Sequence, residues 1–236
     1  MSAFASQLEE LESFHGRQRP DWPVDPYQFL VWWHCGYPPS DEACNAGWAS
    51  LKAEQDVAPA KLVKARASVL ARLLKPGGLI PDLRAQRLKD IAAEVLEEWG
   101  GDLSRALQAM PAAAVIKTLK KLPGIGEPGA ERIILFGGIA PLPAVPSNAT
   151  QVAVRMQHGA PFGSYTKDYR EGRRLIEAEI PATLAARQRA FLLLKAHGQT
   201  VCKRSTPRCD ACPIARMCAY FKGVKTSSVR KAKRSA

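Results

Sequence analysis

Four cysteines fall within seventeen residues near the C-terminal end: Cys202, Cys209, Cys212 and Cys218, spaced C-x6-C-x2-C-x5-C. A loop this short that gathers four thiolates makes a compact, soft, tetrahedral site. Such a site suits a metal ion or an iron–sulfur cluster better than two disulfides. Whatever fold the chain adopts has to present this loop. The other two cysteines, Cys35 and Cys44, have no partners at comparable spacing and read as small buried hydrophobes.

The remaining composition agrees with a reducing compartment, in which clustered cysteines serve as metal ligands. The first residues, MSAFASQLEELESFHG, carry acids and no apolar core segment, so they do not read as a signal peptide. No apolar run approaches the ~18 residues a membrane span needs. A cytoplasmic protein is expected, nucleoid-associated if bacterial. Hydrophobic residues make up 46% of the chain, a globular value. The net charge of +12, from 34 basic and 22 acidic residues, calls for a polyanionic partner, most often nucleic acid.

Helical periodicity runs through almost the whole chain. Helices are expected over 5–14, 27–34, 41–51, 58–74, 83–99, 102–110 and 112–120, with Ser40 or Asp41 capping the third. Gly77-Gly78 and Gly100-Gly101 are stop signals. Strand signals are nearly absent: the apolar runs are long and rich in Leu and Ala, and Val145, Val152, Val154 and Val201 do not alternate. From Lys222 to Ala236 the chain carries basic residues and no acid, which predicts a loosely held basic arm.

A second motif, LPGIGEPGAERIILFGG, spans Leu122 to Gly138. A helix ending near Lys120 meets a tight turn, Pro123-Gly124-Ile125-Gly126, and another helix starts near Glu127 or Pro128. Gly124 and Gly126 allow left-handed φ values and close approach of another chain. The second helix offers its first N–H groups to an anion, with Lys120 and Lys121 beside the turn and Ile125 and Ile133 anchoring it. This helix-hairpin-helix pattern holds a DNA phosphate without reading sequence.

The hairpin and the ending HGQTVCKRSTPRCDACPIARMC together resemble the endonuclease III family of DNA base-excision glycosylases. This is the part of the helix-hairpin-helix superfamily that carries a C-terminal [4Fe–4S] loop. The likeness spans residues 25 to 220. It implies an all-α, two-lobed fold with a DNA cleft between the lobes. One lobe would be a six-helix barrel over 25–143. The other would be an iron–sulfur lobe from 1–24 plus 144–221, with 222–236 as a basic tail. It further implies a [4Fe–4S] cluster on Cys202, Cys209, Cys212 and Cys218. The expected partner is double-stranded DNA bearing a lesion, abasic site or distortion, bound by a monomer that flips the target base. Lys203, Arg204 and Arg208, between the first two cysteines, would meet the DNA backbone.

The same likeness exposes two departures. Active bifunctional members place a lysine two residues after the second hairpin glycine and an aspartate eighteen residues later. Here Pro128 and Pro146 stand in those places, with the spacing of eighteen preserved. A proline within a chain has no amine to form an imine. Loss of the carboxylate removes the main electrostatic aid to a sugar with oxocarbenium character. Prolines suit helix starts, so the fold should survive them. Glu127 adjoins the lysine place but points about 100° away on a helix. Ser147 and Asn148 are expected to cap a helix starting near Ala149. In the segment Cys35–Asp41, Tyr37 is placed to stack on an exposed base. Near Asp82, Arg84 is placed to meet a phosphate or an opposite base.

Three functions are therefore open. The first is an iron–sulfur DNA-binding protein of base excision repair with weak or absent glycosylase and abasic-site lyase activity. The second is an active monofunctional glycosylase using a relocated carboxylate such as Glu127. The third, from another class, is a zinc-stapled helical DNA-binding factor. It is disfavoured by the single CxxC pair, Cys209–Cys212.

Overall fold

The computed structural model describes residues 2–37 and 40–223; the basic arm expected at the C-terminus lies, beyond residue 223, outside the described residues. Twelve α-helices follow one another among the described residues. They are α1 (Ala3–His15), α2 (Pro26–His34), α3 (Asp41–Glu54), α4 (Pro59–Lys64), α5 (Ala67–Leu74), α6 (Pro81–Trp99), α7 (Leu103–Gln108), α8 (Ala112–Leu119), α9 (Glu127–Phe136), α10 (Thr150–Gln157), α11 (Tyr165–Glu179) and α12 (Leu184–Thr200). The described residues contain no strand, only one bridge between Tyr37 and Gly78. The fold is all-α, as the periodicity requires. No described helix is long and apolar enough to cross a membrane.

The chain divides into two compact units, one of Pro20–Ile139 and one joining the first 19 residues to the segment from Ala140 onward. In the first unit α2 is the axis: Phe29, Leu30, Val31 and Trp32 are all buried, and α3, α6, α7 and α9 pack around it. Asp25 caps α2 by accepting from the Gln28 amide at 2.9 Å, and it also accepts from the Ser104 hydroxyl of α7. Ser40 caps α3 through the Ala43 amide at 3.2 Å. The Arg132 guanidinium of α9 stacks on Trp22 at 3.7 Å and reaches Asp41 at 3.5 Å. Cys35 and Cys44 are fully buried, as expected.

One expected helix is two. The stretch from 58 to 74 breaks where Ala65 and Arg66 turn extended, with ψ 142 and ψ 130. The Lys89 ammonium of α6 takes the Val63 and Ala65 carbonyls, which a continuous helix would bond internally. A tertiary charge outweighs local propensity there.

In the second unit α1 lies against α12, and α10 packs on α11 and α12. Phe4, Leu8, Leu11, Val152, Ile176 and Leu194 are among its core residues. Glu12 and Arg189 link α1 to α12 at 2.8 Å. Gly198 lets α12 approach the start of α10: a Cβ there would lie 2.6 Å from the Ala149 Cβ. Gln7 of α1 donates to the Met217 carbonyl at 3.0 Å, so the first helix also holds the cysteine-bearing segment.

Candidate functional site

The cysteine loop begins where the His197 carbonyl accepts the amides of Val201 at 2.9 Å and Cys202 at 2.7 Å, ending α12. Tight turns follow, with the Cys212 amide returning to Cys209 and the Cys218 amide to Ala215, both at 3.2 Å. Cys202, Cys209, Cys212 and Cys218 thereby line a single recess with about 350 Å³ of empty volume. None forms a disulfide. Burial pushes the Cys202 and Cys209 thiols up and the Cys212 thiol to about 11. Among the described residues, no three Cys, His, Asp or Glu side chains converge on one point as the ligands of a single ion do.

Buried polar side chains hold this loop. Arg155 of α10 is 5% exposed. It donates to the carbonyls of Lys203 at 2.8 Å and Arg204 at 2.6 Å, reaches the Cys202 sulfur at 3.5 Å, and sits 5.0 Å from the Tyr220 ring. No carboxylate pairs with it among the described residues, and its Nε finds no acceptor. Gln151 donates to the Cys202 carbonyl at 3.1 Å. The His197 ring lies 3.6 Å from the Cys212 sulfur on one side and 3.1 Å from His15 on the other. Lys203, Arg204 and Arg208 point outward, all exposed.

In the other unit, α8 and α9 form the expected hairpin. Gly124 has φ 69, the left-handed value that favours glycine there. Gly126 caps α9 in an extended conformation, φ −92 and ψ −179. Ile125 and Ile133 are buried beneath the turn. The amides of Gly124, Gly126 and Gly129 find no acceptor among the described residues. Two side chains of α2 hold the turn from behind: Trp33 donates to the Gly124 carbonyl at 3.3 Å, and His34 meets the Pro123 carbonyl at 2.8 Å. The other His34 nitrogen faces the Leu30 carbonyl, also at 2.8 Å. Burial, helped by the Arg87 guanidinium, holds the His34 pKa below the usual imidazole value against the pull of these two carbonyls. Trp33, His34, Tyr37, Arg87 and Gly124 line a recess of about 430 Å³ beside the turn.

Tyr37 is 41% exposed, and its backbone pairs with that of Gly77 and Leu79. Leu79 is 64% exposed and Ile80 adopts φ 50, a strained value for a β-branched residue. Lys121 is exposed. Arg84 corrects the sequence expectation: it is 1% exposed and donates to the carbonyls of Cys35, Leu74, Gly78 and Leu79 at 2.6–2.9 Å. It ties the segment of Tyr37 to that of Leu79, and with four carbonyl partners and 1% exposure it is not placed to meet a phosphate. Pro128 is the second residue of α9, and Pro146 is buried before α10. Ser147 and Asn148 do not cap α10: its N-cap is Ala149 and no side chain bonds the first turn.

Sequence reasoning missed Arg155, His197, His34 and Leu79. Arg155 had a signal, a lone cation among Val152, Ala153, Val154 and Met156 on one short helix. Leu79 had none, because exposure of a leucine is a property of the folded loop.

No family model matches the chain. The chain is 28% identical over 169 residues to the adenine DNA glycosylase of Mycolicibacterium smegmatis, covering 71% of this chain and 50% of that relative. It thus spans about half of that relative's length. It is 24% identical over 208 residues to the endonuclease III of Thermotoga maritima, covering 88% of this chain and 89% of the relative. Among solved structures, a non-covalent endonuclease III–DNA complex has a TM-score of 0.73 at 18% identity, over 96% of this chain and 99% of that one. A thermostable thymine-DNA glycosylase has a TM-score of 0.71 at 20% identity, over 94% and 97%. The structural likenesses give the fold, and the near full-length sequence match, the hairpin and the cysteine loop point the same way: the chain is similar in sequence and in fold to endonuclease III and related helix-hairpin-helix DNA glycosylases.

Proposed function

We propose that the chain binds damaged or abasic double-stranded DNA in base excision repair, and that it releases bases and cleaves abasic sites weakly or not at all. The observation that carries this reading is the pair of prolines. Pro128 occupies the second residue of α9, where an amine would be needed to form a Schiff base. Pro146, buried before α10, offers no carboxylate to a cationic sugar. Loss of one preorganised charge of that kind costs about 10²–10³ in rate. Glu127 is exposed at the first residue of α9, which suits a charge at a helix N-terminus more than a buried catalytic group.

The binding features are intact by the same criteria. Unpaired amides at Gly124, Gly126 and Gly129, with Lys121 nearby, suit one backbone phosphate. Exposed Tyr37 and Leu79 suit stacking and wedging at a disrupted base step. Lys203, Arg204 and Arg208 suit a second stretch of backbone.

The cysteine recess fits a [4Fe–4S] cluster held by Cys202, Cys209, Cys212 and Cys218. The four thiols line one recess and include a single CxxC pair, a donor set and spacing that suit an iron–sulfur cluster more than the paired knuckles of a zinc site. The buried Arg155, with no carboxylate partner, suits an anionic guest. When bound, such a group would supply a rigid anionic anchor for the loop. Arg155 and Gln151 hold the carbonyls that orient Lys203 and Arg204. A reducing compartment and a monomeric state complete the proposal.

The test measures binding and cleavage separately on duplexes with abasic sites, oxidised pyrimidines and mismatched adenines. Selective binding without product is expected. Base release at the rate of active family members would refute the inactive reading.

A further inference from the structure

We infer that His15, His197 and Cys212 form a directed hydrogen-bond chain that raises the reduction potential of the cluster held by the cysteine loop. The inference rests on the cluster reading above. It starts from two distances: His197 Nε2 lies 3.6 Å from the Cys212 sulfur, and His197 Nδ1 lies 3.1 Å from His15 Nε2. The two rings meet edge to face, with centroids 5.3 Å apart. His197 is 1% exposed, while His15, in the last turn of α1, is partly open to solvent.

The chemistry of the end group fixes the direction. A metal-bound thiolate only accepts hydrogen bonds, so His197 carries its proton on Nε2. A neutral His197 then presents a lone pair at Nδ1, and His15 Nε2 must donate to it. One thiolate thus selects both tautomers, and the chain runs from the end of α1 through α12 to the ligand. Among the other ligands, Cys202 receives Arg155, a permanent cation, and Cys209 receives no side-chain donor among the described residues. His197 is therefore the one neutral side-chain donor to a ligand sulfur among the described residues, beside the Ile214 backbone amide on the same Cys212, and α1 polarises it. A hydrogen bond to a ligand thiolate favours the more negative, reduced state, so it raises the potential.

The test is the midpoint potential of the cluster-loaded full chain, read by voltammetry beside iron content and visible absorption. His197→Phe should lower the potential, His197→Gln should recover part of the shift, and His15→Phe should lower it by less. An unchanged potential in His197→Phe with full iron would overturn the inference. If His197→Phe fails to hold iron, His15→Phe decides, since His15 touches no ligand: a lowered potential supports the chain and an unchanged one overturns it. A wild-type protein purified without oxygen that binds no iron would overturn the cluster reading itself, a separate and recognisable failure.

Discussion

The hairpin turn and the cysteine loop are both irregular segments pinned from behind by side chains of a neighbouring helix, yet they differ in how complete they are. The hairpin turn is finished by protein alone. Its carbonyls at Pro123 and Gly124 go to His34 and Trp33, and its glycine amides are left outward. The cysteine loop has its carbonyls held by Arg155 and Gln151 but lines a recess with four thiols, beside a buried Arg155 that has no carboxylate partner among the described residues. On the proposed reading, the first is a preformed binding surface and the second is completed by a guest. Neither brings an amine to position 128 or a carboxylate to position 146, where prolines stand, so the features built for binding are separate from the groups that glycosylase chemistry needs.

The largest effect should come from removing the guest. Cys212→Ala should abolish iron binding and make residues 201–218 protease-sensitive, while peptides from the hairpin remain protected; equal protection of both regions would erase the distinction. Next, Arg155→Leu should destabilise its unit by about 3 kcal/mol, because the Lys203 and Arg204 carbonyls lose a charged donor. Thermal or denaturant unfolding measures this. It should also weaken DNA binding through a misplaced loop. Arg84→Met should cost a similar amount, about 3 kcal/mol, in the other unit, since four carbonyls lose their donor.

Gly124→Ala is a smaller perturbation. A φ of 69 costs an L-residue about 1–2 kcal/mol. DNA affinity should fall while iron content stays constant, which separates the two regions directly. The smallest effect is with pH. Burial lowers the His34 pKa, so the unfolded chain binds a proton near pH 6.5 that the folded chain refuses. Stability of the hairpin unit is therefore fully present above that value and falls as pH drops through it. His34→Gln should flatten this slope, measured as the unfolding midpoint between pH 7.5 and about 5.5.

Spacing and chemistry made much of this legible. The four cysteines, the hairpin glycines and the proline pair are local patterns, and helical periodicity set most elements within a few residues. What stayed hidden depends on distant partners. The break at Ala65 follows from Lys89, 24 residues away. Arg84 looked like a surface cation, but it is enclosed by a loop reaching back to Cys35, 49 residues away. Ser147 and Asn148 have capping chemistry, yet α10 starts after Ala149 and leaves them exposed.

The most direct test of binding without catalysis is a single-turnover reaction on an abasic-site duplex, with borohydride added and the bound fraction measured in parallel. Pro128 and Pro146 predict tighter binding to the abasic duplex than to intact DNA, with no covalent adduct and no strand cleavage. A trapped adduct, or cleavage at the rate of active family members, would contradict it.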